Sequence, residues 1–138
     1  MKDINIRYTY RRKKDGLIYQ EIVPIGCLEN RGDKPFILSV NYELWDVIGR
    51  DLFTGLKDKN KKEIYEGDIV RVSLKNINSK QRIPDTRILE VPIVFYDSCF
   101  CYSFDDDKVS MNKEHTEKEV IGNIYENKEL LKKETKKR

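Results

Sequence analysis

Phe53-Thr-Gly-Leu-Lys-Asp-Lys-Asn-Lys-Lys-Glu-Ile-Tyr-Glu-Gly-Asp-Ile-Val70 is built almost wholly from residues that serve backbone geometry. Gly55 and the tract Asp58 to Lys61 are turn material, and Ile64 and Tyr65 begin an extended segment. Gly67-Asp68 make a tight corner before the strand Ile69-Val70-Arg71-Val72. At such a corner the Asp carboxylate can accept hydrogen bonds from turn amides. Short strands hinged by tight turns predict a mainly β architecture, and no residue in the run carries obvious reactivity.

The flanks repeat the pattern. Ile4 to Tyr10 alternates apolar and polar residues, with Ile4, Ile6, Tyr8 and Tyr10 on one face. Arg11-Arg12-Lys13-Lys14-Asp15-Gly16 is a polar turn that leads into a second strand, Leu17 to Val23, so the first hairpin has a basic tip. Phe36 to Val40 reads as a short strand. Asn41 has the character of an N-cap for a helix over Tyr42 to Ile48, stopped by Gly49, with Trp45 as its buried anchor. Residues 75–85 form the longest loop, and Arg87 to Tyr96 resumes extended structure, with Pro92 demanding an edge or a bulge. Asp97-Ser98 is a two-residue turn into Cys99 to Phe104. Glu119 to Tyr125 is the last strand, and Asn127 caps a closing helical turn. The sum is a small barrel or packed antiparallel sheets, with one short internal helix and a C-terminal helical turn. A single β domain over residues 1–131 and a basic tail over 132–138 complete the expectation.

Of the 138 residues, 27 are Lys or Arg and 24 are Asp or Glu, so a net charge of +3 is too small to imply nucleic acid by itself. Local clustering is more informative. Arg7, Tyr8, Tyr10, Arg11, Arg12, Lys13 and Lys14 interleave cations with aromatic rings, the composition needed for weak, sequence-tolerant binding of single strands or for contact with a protein. The same composition is ordinary on a sheet surface. Cys27, Cys99 and Cys101 are odd in number and lack C-x-x-C spacing, which suits a reduced, cytoplasmic setting. No run approaches a membrane span.

Little in the sequence carries reactive chemistry. Cys99 and Cys101 share one strand face and can approach a soft metal together, but further ligands at workable spacing are missing. His115, the only histidine, sits in a charged stretch with no partner to tune it. Asp105, Asp106 and Asp107 lack the spacing of a calcium loop. No phosphate-cradling glycine loop, nucleophile elbow or H-E-x-x-H is present. The expectation is a protein without a cofactor, a metal or an enzymatic activity.

Two stretches, Phe53 to Val70 and Val120-Ile-Gly-Asn-Ile-Tyr-Glu-Asn127 with Glu129-Leu-Leu131, together resemble the YopX family of small proteins encoded by phages and prophages of Gram-positive bacteria. Gly55, Asp58, Asn60, Gly67, Asp68, Gly122, Asn123 and Asn127 are the structural positions of that resemblance. Lys61 stands where the family has a glycine, so Asn60 is expected to take the left-handed conformation instead, and Lys128 stands where the family has a proline. The family's opening, an Arg followed by Trp-Asp, survives only as Ile6-Arg7-Tyr8. The resemblance implies a β-rich, self-associating fold, and the strand entry Glu66 to Val72 also resembles that of SH3-like barrels. With no credible active site beside it, the expectation is a phage- or prophage-encoded accessory protein that binds a host or phage protein or nucleic acid in the host cytoplasm. It supplies no catalytic residues. A structural part in phage assembly is the alternative, and a metal-dependent hydrolase or nuclease using Asp105 to Asp107 with His115 is the rival from another class.

Overall fold

The computed structural model describes residues 4–29, 35–75, 86–104, 107–111 and 117–131. Of the expected loop over 75–85 all but residue 75 lies outside them, as do His115, Asp105, Asp106, the side chain of Asp107 and the expected tail over 132–138. The chain divides into two compact units, Met1–Phe53 and Thr54–Arg138. Each unit has its own hydrophobic cluster.

In the first unit, β1 (Asn5–Arg12) is flanked by β2 (Ile18–Pro24) and by β3 (Trp45–Lys57), both antiparallel to it. The alternation anticipated for β1 places Tyr8 and Tyr10 in a cluster with Val23 and Val40, with Ile6, Phe36, Trp45 and Val47 packed around them. Arg7 and Thr9, on the alternate positions of β1, are buried as well. The Thr9 hydroxyl oxygen accepts a hydrogen bond from the Gln20 side-chain amide across the β1–β2 pair at 3.1 Å.

Two expectations fail in this unit. Residues 42–48 are not helical. Asn41 does open a turn, its side-chain oxygen accepting the Glu43 N–H at 2.9 Å and its carbonyl the N–H groups of Leu44 and Trp45. The chain then extends, with Trp45, Asp46 and Val47 opposite Arg12, Arg11 and Tyr10, and Ile48 accommodated by a bulge. Ladder partners on β1 outweigh the weak helical preference of β-branched Val47 and Ile48. Phe36 to Val40 is likewise not a strand, since Phe36–Leu38 form a 3₁₀ turn. The internal helix lies elsewhere, as α1 (Ile25–Glu29) immediately after β2.

The second unit contains the end of β3, then β4 (Glu63–Tyr65), β5 (Asp68–Lys75), β6 (Thr86–Tyr96), β7 (Cys99–Phe104), β8 (Asp107–Ser110) and β9 (Lys118–Asn123). Among the described residues there are two antiparallel sheets, in the orders β2-β1-β3-β4 and β8-β7-β6-β5-β9, and neither closes into a barrel. The core of this unit is Ile64, Val70, Val72, Val91, Ile93, Tyr102 and Met111. Residues 128–131 form the expected helical turn.

Pro92 belongs to β6, an interior strand by sheet order, which corrects its placement at an edge. Its tolerance has a local reason. β5 pairs with β6 up to Pro92, and β7 pairs with it only from Ile93 onward, so Pro92 stands where one partner hands over to the other. Asp97 and Ser98 make the anticipated two-residue turn, both with positive φ (51° and 65°), the primed geometry that tight hairpins favour.

Candidate partner-binding surface

The β1–β2 hairpin closes through reciprocal backbone bonds, Arg12 N–H to Leu17 C=O at 2.8 Å and Gly16 N–H to Arg12 C=O at 2.7 Å, with Gly16 at φ 75°. Asp15 holds the turn from the side. Its carboxylate accepts two bonds from the Arg12 guanidinium, at 2.9 and 2.7 Å, and one from the Leu17 N–H. The Arg12 bond and the Leu17 amide lower its pKa to about 2.

Beside this turn runs the approach to β3. Lys13 N–H donates to the Leu44 carbonyl at 2.9 Å, and Arg12 lies over the Trp45 ring at 5.7 Å from its centroid. A cavity of about 500 Å³ is lined here by Arg12, Lys13, Lys14, Glu43, Leu44 and Trp45. Behind it Tyr10, Tyr19, Phe36 and Trp45 meet mostly edge to face, the closest pair being Tyr10 and Phe36 at 4.9 Å. Glu21 pins this group by accepting the Tyr10 hydroxyl at 3.0 Å and the Phe36 N–H at 2.9 Å. Burial first, and then the Glu21 carboxylate, raise the Tyr10 pKa. Trp45 is therefore half-buried at the rim of an aromatic cluster rather than a fully buried helix anchor.

The seven residues singled out in this hairpin do not share one face. Arg7, Tyr8 and Tyr10 are buried, Arg12 is half-buried, and Arg11, Lys13 and Lys14 are exposed. At 7% and 0% exposure, Tyr8 and Tyr10 offer no ring face to a base. The cations at the tip are also partly neutralised. Arg11 and Lys13 both reach Asp46, at 3.3 and 3.8 Å, and Arg12 is held by Asp15. The apolar side chains beside them are open instead: Leu17, Tyr19, Tyr42 and Leu44 are all exposed. These residues were legible as individual hydrophobes. Leu17 and Leu44 are held at the tip by the bonds that Arg12 and Lys13 make to their backbones.

The structural positions form a second constellation, inside the other unit. Thr54 donates its hydroxyl to the Ile64 carbonyl at 2.7 Å and accepts the Leu56 N–H, around a Gly55 with φ 88°. Asp58, 7% exposed, accepts the N–H groups of Asn60 and Lys62 on one oxygen, at 2.8 and 2.9 Å, and that of Val120 on the other, at 2.9 Å. Burial works to raise its pKa, but the three amides prevail and the net shift is downward. Lys59 N–H meets the Lys118 carbonyl at 2.9 Å. The tip of the β3–β4 hairpin thus grips the start of β9. Lys61, not Asn60, takes the left-handed conformation, at φ 67°, which corrects that expectation: the residue in the glycine position adopts the glycine's geometry.

Gly67, at φ 88°, donates to Ile93 C=O and accepts from Ile124 N–H, both at 2.9 Å, while Asp68 accepts the Tyr65 N–H at 2.9 Å as a corner carboxylate should. Asn123 accepts the N–H groups of Tyr125 and Glu126 on its side-chain oxygen, each at 3.0 Å. Asn127 turns its side chain back to accept the Asn123 N–H at 3.0 Å, and only its backbone carbonyl receives the first helical N–H, from Leu130. Its side chain is therefore a brace for the preceding turn rather than a helix cap. The space it fills exists because Gly122 has no Cβ; one added there would lie 2.6 Å from Asn127 Cγ.

Among the described residues no group of three or more His, Cys, Asp or Glu side chains gathers as a metal site, and no helix is long and apolar enough to cross a membrane. The family model described as YopX protein matches residues 26–132. The crystal structure of protein EF1440 from Enterococcus faecalis is similar over 91% of this chain and 97% of that one, at 22% identity and a TM-score of 0.47. No curated protein matches the chain.

Proposed function

The chain belongs to the YopX family, and we propose that it is a phage- or prophage-encoded accessory protein that works without turnover, by binding a host or phage protein through the β1–β2 hairpin tip. One observation carries the choice of a protein over nucleic acid. At the tip Arg11 and Lys13 pair with Asp46 and Arg12 with Asp15, whereas Leu44 and Trp45 line the cavity and Leu17, Tyr19 and Tyr42 are further exposed hydrophobes of the same unit. Apolar anchors beside charged groups suit a protein interface, while a single strand needs free cations and accessible rings. Self-association belongs to the same reading, because β2 is the outer strand of its sheet and exposes Tyr19 and Ile22.

A photo-crosslinking residue at Leu44, in the full chain expressed in the host, tests the proposal. A discrete protein partner should be captured from position 44, lost when Leu17 is changed to Asp, and absent with the crosslinker at Ser98 in the other unit. Tight binding of labelled single strands at roughly 50 mM salt, where phosphate contacts are least screened, with no protein captured from position 44, would overturn it.

A further inference from the structure

Cys99 and Cys101 are two residues apart on β7, and their sulfurs lie 3.5 Å from one another, in van der Waals contact. Both also face the Tyr96 carbonyl across the hairpin turn, at 3.5 and 3.8 Å. The two thiols differ in access, since Cys101 is 3% exposed and Cys99 is half-buried in front of it. No third Cys, His, Asp or Glu joins them among the described residues, so the donors for a closed metal centre are not assembled there. A converging pair with one accessible member instead has the layout of an attacking and a resolving thiol.

We propose that Cys99 and Cys101 form a reversible redox site that closes to an intramolecular disulfide by exchange with a low-molecular-weight disulfide such as oxidised glutathione. The Cys99 thiol loses its proton to solvent and attacks one sulfur of the small disulfide. That S–S bond breaks, and one equivalent of reduced thiol leaves with a proton. Cys101 then gives up its proton and attacks Cys99 Sγ, displacing the second equivalent. Two protein thiols are oxidised to one disulfide, and one small disulfide is reduced to two thiols. The order follows from burial, which pushes the Cys101 thiol up to about 11, with the neighbouring Cys99 adding to the effect. Strand geometry also sets the character of the product. Residues two apart on a strand have Cα atoms roughly 6.6–6.8 Å apart, at the upper limit for a disulfide of about 6.8 Å. Such a bond is strained and readily reduced, the property of a switch rather than a staple.

The test uses the full chain carrying Cys27→Ser, so that only the pair reports. After exposure to oxidised glutathione and alkylation in denaturant, both thiols should be unreactive, the mass should fall by two hydrogens, and no glutathione should be retained. Reduced glutathione should restore both thiols. With Cys101→Ser added, one glutathione should remain on Cys99. Stable glutathione on the Cys99/Cys101 chain, a disulfide between two chains, or thiols oxidised no faster than in the single-cysteine variants would overturn the proposal. Peptide mapping of the unmodified chain, which should show the Cys99–Cys101 linkage, provides the same decision if Cys27→Ser weakens the fold.

Discussion

Lys61 shows what one residue contributes when geometry is imposed on it. The turn after Asp58 needs a left-handed residue at this position, and a lysine there carries a Cβ penalty of about 1–2 kcal/mol. Lys61→Gly removes the penalty but gives the unfolded chain more freedom, so a net gain of about 0.5–1 kcal/mol is expected in denaturant unfolding. Asp58 is the opposite case, a side chain on which three amides depend. Asp58→Ala should cost about 3–5 kcal/mol by leaving those donors unsatisfied. Its pKa is lowered on folding, so its ionised form stabilises the native state above the ordinary carboxylate range of about 3.9. That stabilisation is lost as pH falls through the lower folded value, and the native chain should lose stability more steeply below about pH 4 than Asp58→Asn does. Gly122→Ala drives a methyl into the Asn127 side chain and should cost about 1–3 kcal/mol. Because the two sites share one space, the double variant with Asn127→Ala should cost less than the sum of the two single changes.

Among the elements, the alternating strands β1, β2 and β5 were legible, whereas the start of β3 was read as a helix and β8 was not anticipated. Leu44, Trp45, Val47 and Ile48 have helical spacing, and Asn41 does open a turn of the right kind. What makes the segment a strand is the row of partners on β1, more than thirty residues away, with a bulge at Ile48 that disturbs the alternation. The same distance hid half of the candidate surface: the cations stand out in the sequence, but Asp46, which pairs with Arg11 and Lys13, is 35 residues from Arg11. Turns were read more securely because their requirements are local. At the β6–β7 turn, Ser98 holds φ 65° without being glycine, so Ser98→Gly should stabilise the chain by about 0.5–1 kcal/mol, measured as a shift in the denaturation midpoint.

For the molecule as a whole, near-balanced charge is organised as exposed pairs such as Arg71 with Glu90 at 2.8 Å and Glu119 at 3.7 Å. Each such pair contributes about 0–1 kcal/mol, so the stability rests on the two apolar clusters and on the satisfied turns. Association should follow from the outer strands rather than from charge. Sedimentation at micromolar concentration is expected to show an oligomer for the native chain and a monomer for Ile22→Lys, with little change in added salt. A native chain that sediments as a monomer throughout would count against association through β2.

The bond from Asp58 to Val120 spans 62 positions. During synthesis, at about 5–20 residues per second, the carboxylate therefore leaves the ribosome roughly 3–12 s before the amide it is to bind. Its bonds to Asn60 and Lys62 can form at once, so the acceptor waits already oriented by its own turn. Until β9 emerges, the flank of β5 that will receive it is an unclaimed row of backbone donors and acceptors, and this interval is when the nascent chain is most exposed to pairing with a stranger.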